Sequence, residues 1–252
     1  MATISEIRHE LSESGPEGWQ VFIEKYGSDT RSGVVKLVET CRNYIKRAEK
    51  EEKRLEQMLI YEKKYYEDCD YICGIDEAGR GPLAGPVVAG AVILPKGLKI
   101  PYLNDSKQLS EKRREELYDI IMDQALAVGT GIVSPERIDE INILQATYEA
   151  MRQAVSTLSY RPQVLLNDAV IIPGLDIPQE KIIKGDAKSL SIAAASVIAK
   201  VTRDRMMKAY HEIFPGYGFD KHKGYGSKEH IEKLQTLGPC PIHRCSFITH
   251  FI

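Results

Sequence analysis

From residue 71 onward the chain alternates short apolar runs with amphipathic helical stretches, and this alternation restricts it to an α/β layered fold. Residues 71–75 (YICGI) read as a buried strand. VVAGAVIL, residues 87–94, is bounded by Pro86 and Pro95 and rich in β-branched side chains, so it reads as a second strand. Residues 110–127 predict a helix with Ser110 as N-cap and Leu117, Ile120, Ile121 and Leu126 on the apolar face. Strands at 128–133, 164–166 and 181–183 and helices over 135–158 and 188–214 follow. In the last helix Ile192, Ala195, Ile198 and Ala199 recur at helical spacing, and Ala193, Ala194 and Ser196 are small enough for close packing on a sheet.

The chain before this point has a different texture. Val34, Val38, Cys41, Ile45, Ala48, Leu55 and Leu59 alternate four and three apart, with Glu52 as the one gap, which predicts a long amphipathic helix. Two shorter helices separated by Gly15-Pro16 precede it. Residues 1–68 therefore read as a helical extension and 69–252 as the α/β domain. The stripe can pack on the α/β domain, on its own helices or on a partner chain, and deletion of 1–68 is expected to spare chemistry. With twelve basic and fifteen acidic side chains in residues 1–70, the extension is no obvious phosphate clamp.

Overall composition narrows the class further. Hydrophobic content of 43% and charged content of 28% in 252 residues are those of a globular protein, and no apolar run is long enough to cross a bilayer. The opening MATISEIRHE lacks a secretory signature, so a cytoplasmic location is expected. A net charge of −2 argues against bulk electrostatic coating of nucleic acid, and any polyanion must meet a local patch. Five cysteines make a disulfide framework an unattractive reading. Cys69, Cys73, Cys240 and Cys245 with His243 have poor spacing for zinc, and Cys73 lies within a strand. Asn104-Asp105-Ser106 matches a glycosylation sequon without a route to secretion.

Four carboxylates share one placement. Asp76 and Glu77 follow the first strand, Asp168 follows VLLN, and Asp186 follows KIIKG ahead of the long helix. Ligands and catalytic groups collect beyond strand ends in open α/β sheets. Singly, each acid has an ordinary explanation as a cap or turn residue; together they form a hard-oxygen set suited to Mg²⁺ or Mn²⁺. Successive strand residues point to opposite faces, so Asp76 and Glu77 can serve one metal pair only if the strand ceases to be regular there, as Gly79 and Gly81 would allow. Two divalent ions about 3.5–4 Å apart stabilise the attacking water and leaving oxygen of a phosphodiester. A dinucleotide fingerprint around Gly79, Gly81 and Gly85 is disfavoured, because Pro82, Pro86 and VVAGAVIL lead into a strand rather than a helix.

The blocks GIDEAGRGPLAGPVVAGAVIL, NDSKQLSEKRREEL, KGDAKSLSIAAASVIAKVTRDR, GYGFDKHKGYGSKEH and GPCPIHRCSF stand in the order found in ribonuclease HII, and residues 71–247 resemble that family closely. The resemblance implies a ribonuclease H-like fold: a mixed five-stranded sheet, its first three strands antiparallel, flanked by helices. It also implies a DEDD metal quartet at Asp76, Glu77, Asp168 and Asp186, with Asp176 as the fallback for Asp168. The implied activity is metal-dependent endonucleolytic cleavage of RNA in RNA:DNA hybrids and of duplex DNA containing ribonucleotides. Cleavage falls 5′ of a ribonucleotide and leaves 3′-hydroxyl and 5′-phosphate ends. Gly79, Arg80 and Gly81 match the family's reader of the ribose 2′-hydroxyl, the group that separates RNA from DNA at a site. Tyr225 would pack on the sugar at the junction, with neighbouring Lys223 as a further substrate contact. Lys107, Lys188, Ser189 and Arg244 are candidate phosphate contacts. His222 and His243 are read as structural. A monomer is expected. The rivals are a ribonuclease HIII-type enzyme, disfavoured by Arg80 and the helical extension, and a non-catalytic hybrid-binding protein, disfavoured by four mutually repelling carboxylates.

Overall fold

The computed structural model describes residues 2–252 and divides into two compact units, Met1–Glu56 and Gln57–Ile252. In the first, α1 (Ile4–Ser14) begins with a capping box: Thr3 Oγ1 accepts from Glu6 N while Glu6 Oε2 accepts from Thr3 N. Helices α2 (Trp19–Tyr26) and α3 (Ser32–Met58) follow. The predicted stripe packs on its own helices at this end, where Val34, Val38 and Cys41 are buried with Ile7 and Phe22. Residues 57–68, which composition groups with the extension, fall with the sheet unit instead and include the one-turn α4 (Ile60–Lys63).

The second unit is built on a five-stranded sheet comprising β1 (Ile72–Ala78), β2 (Val87–Ile93), β3 (Ala127–Val133), β4 (Val164–Asp168) and β5 (Gln179–Ile182), in the order β3-β2-β1-β4-β5. The first three strands pair antiparallel, and β1–β4 and β4–β5 pair parallel. Alternation along the strands divides the core. Cys73, Ile75, Ala89, Ala91, Ile93 and Leu165 face α6 (Pro135–Ser156) and its buried Ala146, Ala150, Met151 and Ala154. Ile72, Val164, Leu166 and Ile182 lie on the opposite face with Ile192 of α7 (Leu190–Ile213). There the helix backbone touches the sheet: a Cβ on Gly74 would lie 2.0 Å from the Ser191 carbonyl carbon, and one on Gly90 would lie 2.4 Å from Ala195 O. This close approach explains the small residues of α7.

Helix α5 (Glu111–Gln124) is capped by Ser110, whose Oγ accepts from Arg113 N. The predicted helix over 135–158 is interrupted. Asn142 adopts φ 65°, and its Oδ1 accepts from Leu144 N and Gln145 N, restarting the helix with a new cap. After α7 come α8 (Phe219–His222), α9 (Lys228–Leu237) and α10 (Cys245–Ile248). Among the described residues, no helix is long and apolar enough to cross a membrane.

One expectation fails at the most informative place. Strand β1 does not stop before the acids: Asp76 pairs with Gly90, Glu77 with Ala89 and Ala78 with Val88. The irregularity begins only at Gly79, with φ +94°; an irregular strand is therefore not what brings the two acids together, since both feel the charge of Asp168 from within paired β1.

Candidate active site

Asp76 lies on the α7 face of the sheet, opposite Gly90, and is 4% exposed. Its carboxylate accepts from Glu77 N at 2.8 Å and is hydrogen-bonded by Ser196 of α7, whose Oγ also meets Ser106 Oγ at 2.8 Å. Glu77 is half-buried at the strand's end. Asp168 closes β4, the parallel neighbour of β1, and its Oδ1 accepts from Gly185 N at 2.7 Å. That bond ties it to the 3₁₀ turn Gly185–Ala187, which carries Asp186. Asp186 is not a helix cap: Ser189 caps α7, its Oγ accepting from Ile192 N.

The four acids share one electrostatic neighbourhood. Burial, reinforced by the charges of Glu77 and Asp168, pushes the Asp76 carboxyl well above its ordinary range. Glu77 is also pushed up, chiefly by burial and further by Asp168, against the opposing charge of Arg80, whose Nη1 sits 3.3 Å from Glu77 Oε1. Asp186 is pushed up to about 6 by burial, Asp105 and Asp168. The charge of Asp168 acts on all three of these acids, whereas Asp176 lines a separate surface hollow with Arg161 and Pro178, so the structure brings Asp168 rather than Asp176 into the group. Burial opposes the charge of Lys107, but Asp76, Asp105, Asp186 and Asp168 together outweigh it and push its amine up.

Asp105 is a fifth carboxylate that the sequence reading passed over. Its Oδ1 accepts from Lys107 N, and its side chain hydrogen-bonds Asp186. It sits in Asn104-Asp105-Ser106, a loop with no strand periodicity to mark it. Among the described residues, no three acids already form a cage around a common point. The donor set nevertheless fits a hard divalent cation: it is oxygen-only, water-poor and burdened with unneutralised charge.

The GRGPLAG loop beside the acids is held from beneath by two buried arginines. Arg203 donates from Nε to Pro86 O, from Nη1 to Lys223 O and from Nη2 to Ala84 O. Arg244 donates to Gly85 O from both Nε and Nη2, to Arg80 O from Nη1 and to Gly79 O from Nη2. Burial and the neighbouring Arg203 charge push the Arg244 guanidinium down to about 9. A side chain on Gly79 would strike Arg203, so the glycine is required twice, for its φ and for this contact. Arg80 and Gly81 are exposed above the arginines, and neither N–H makes a hydrogen bond within the described chain.

Three expected substrate contacts are placed otherwise. Arg244 and Ser189 are each 0% exposed, and Lys223 is buried with its amine donating to Asp220 O. A side chain already committed to buried carbonyls or a helix cap offers nothing to a phosphate, so their direct contact roles are corrected to support roles. Lys107, Lys188 and Tyr225 do reach the surface, and Lys200 and Arg203 lie within 5.8 Å of the Tyr225 ring centre. His243 and His230 are buried and joined at 3.0 Å through their Nε2 atoms, while His230 Nδ1 meets Tyr225 O and His243 Nδ1 accepts from Cys240 N.

The sequence pattern that defines Ribonuclease HII matches residues 73–250, and that of the Ribonuclease HII N-terminal domain matches 3–66. A Ribonuclease HII of Lachnoclostridium phytofermentans is 60% identical over 97% of this chain and 96% of its own length. One from Clostridioides difficile is 49% identical over 99% and 98%. Among solved structures, the ribonuclease H2 of Pyrococcus horikoshii superposes with a TM-score of 0.57 at 29% identity, covering 70% of this chain and 93% of that one. The chain belongs to the ribonuclease HII family, the type 2 ribonucleases H, and is a metal-dependent endoribonuclease.

Proposed function

We propose that the chain cuts the RNA strand of RNA:DNA hybrids and nicks duplex DNA 5′ of embedded ribonucleotides, leaving 3′-hydroxyl and 5′-phosphate ends. Mg²⁺ or Mn²⁺ would be held by Asp76, Glu77, Asp168 and Asp186. The observation that carries this reading is the convergence of four carboxylates from β1, β4 and the turn after β5, three of them pushed above their ordinary range by burial and by neighbouring carboxylates, with the charge of Asp168 acting on all three. Such crowding is costly unless positive charge arrives. Two divalent ions, when bound, would activate a water and steady the leaving oxygen of an in-line displacement.

The chain's own groups do the remaining work. Arg203 and Arg244 draw the loop carbonyls inward, which leaves the Arg80 and Gly81 N–H groups for a ribose hydroxyl or phosphate. Arg80 would exchange its long contact with Glu77 for a phosphate. Lys107 and Lys188 supply exposed amines, so a local basic rim compensates for the slightly acidic chain. Tyr225, 43% exposed, presents a ring to the sugar.

The test is a DNA duplex carrying one ribonucleotide. The wild type should nick it only with Mg²⁺ or Mn²⁺, and Asp76→Asn should bind it without cutting. Undiminished cutting by Asp76→Asn would remove the assignment. An Arg80→Ala/Tyr225→Ala double variant should lose cleavage at isolated ribonucleotides; normal cleavage would remove the reader roles.

A further inference from the structure

Glu62 is 3% exposed in α4, within the span matched by the Ribonuclease HII N-terminal domain and apart from the sequence blocks that carry the four acids. Its Oε1 accepts three hydrogen bonds: from Ser189 Oγ at 2.6 Å, Ser191 N at 3.0 Å and Ser191 Oγ at 2.9 Å. Its Oε2 has no hydrogen-bond partner among the described residues. That oxygen belongs to a residue lining a hollow of about 10 Å³, room for a single water. A carboxylate out of water is expensive, and three donors on one oxygen are the kind of compensation it needs.

The donors belong to the segment that carries the metal-binding acids. Ser189 is the N-cap of α7, and its own N–H and that of Lys188 both donate to Gly185 O, at 2.8 and 2.9 Å. Gly185 N in turn donates to Asp168 Oδ1. A Cβ on Gly185 would lie 2.6 Å from Ile192 Cδ1, so the turn packs directly against the first turn of α7. A continuous series thus runs from Glu62 through Ser189 and Gly185 to Asp168, with Asp186 on the same turn. The Glu62 end is anchored as well: Lys64 Nζ and Tyr65 Oη hold Glu180 of β5 at 2.7 and 2.8 Å, and Tyr61, Tyr65 and Tyr66 pack on Ile72, Val164, Leu166 and Ile182.

We propose that Glu62 is a positioning residue for the metal-binding carboxylates, fixing the Gly185–Ser191 turn and with it the placement of Asp186 against Asp168. This rests on the metal-site reading above. An ordinary helix cap would contribute to stability alone, whereas a positioning residue also sets how well the acids accept a cation. Partners of metal ligands commonly change metal affinity about 10–100-fold when removed.

The test is calorimetric titration of the full-length chain with Mn²⁺ in the absence of nucleic acid, alongside hydrogen exchange of amides 185–192. Glu62→Ala should weaken Mn²⁺ binding about 10-fold or more and speed that exchange. Glu62→Gln keeps an oxygen for the three donors and should stay near wild type in both. Ser189→Ala, which breaks one link and keeps Glu62, should weaken binding to an intermediate degree and serves if Glu62→Ala does not fold. Unchanged Mn²⁺ affinity in folded Glu62→Ala, or in Ser189→Ala, overturns the inference alone. A wild-type chain that binds no Mn²⁺ overturns the metal-site reading and this inference with it.

Discussion

Carboxylates crowded out of water resist ionisation, and this gives the metal-free chain a pH dependence of definite sign. Asp186 titrates at about 6 in the fold against an ordinary value of 3.8. Its protonated form therefore favours the fold: the contribution is complete below about pH 4 and is lost as pH rises through about 6. In EDTA, wild type should lose stability relative to Asp186→Asn between pH 4.5 and 7.5. With Mn²⁺ the difference should reverse, because cation binding requires the ionised form. Thermal midpoints of both chains at both pH values check this; a gap that ignores pH and metal would contradict it. Asp76→Asn should likewise raise the midpoint in EDTA while lowering kcat by more than about 100-fold. The proposed metal acids Asp76, Glu77, Asp168 and Asp186 can be singled out in the sequence because each follows an apolar run. Asp105 cannot, since only tertiary folding brings its loop to Asp186. Ser189 and Arg244 were misjudged because sequence shows a residue's chemistry but not whether backbone carbonyls or a helix cap already claim it.

At the scale of elements, hydrophobic period marked every strand and the helices that cover the sheet, with ends displaced by a few residues. The extension of β1 through Asp76 and Glu77 was hidden because it depends on pairing with β2, which no local pattern reports. The break at Asn142 was hidden too, since a capping asparagine inside a helical period looks like a tolerated polar residue. The tight seat of α7 is a sharper target. Gly90→Ala pushes a methyl into Ala195 O and should destabilise the fold by about 1–3 kcal/mol, seen as a lower denaturant midpoint. The reader loop depends similarly on its buried guanidiniums. Arg244→Met strips the Gly79, Arg80 and Gly85 carbonyls of a donor and should cost about 3 kcal/mol or more. In the fraction that remains folded, cleavage at single ribonucleotides should fall more than cleavage of a full hybrid. An equal fall on both substrates would mean that the loop does not read the isolated ribose.

Over the whole molecule, the change of texture near residue 70 lies just ahead of β1, which begins at Ile72, whereas the compact units divide between Glu56 and Gln57. Residues 57–68 look like more of the same charged helix, while their tyrosines and Glu62 are spent on β4, β5 and α7. Removal of 1–68 is therefore not a neutral trim. A chain starting at Gln57 should retain metal-dependent cutting, and one starting at residue 69 should lose most of it; equal activity of the two would show that the α4 segment is dispensable. The central claim, that Asp76, Glu77, Asp168 and Asp186 jointly grip divalent cations, is tested most directly by anomalous diffraction from a manganese-soaked crystal. The account predicts anomalous peaks between those carboxylates, with oxygens about 2.0–2.3 Å away. Peaks elsewhere, or none while the four side chains stand apart, would contradict it.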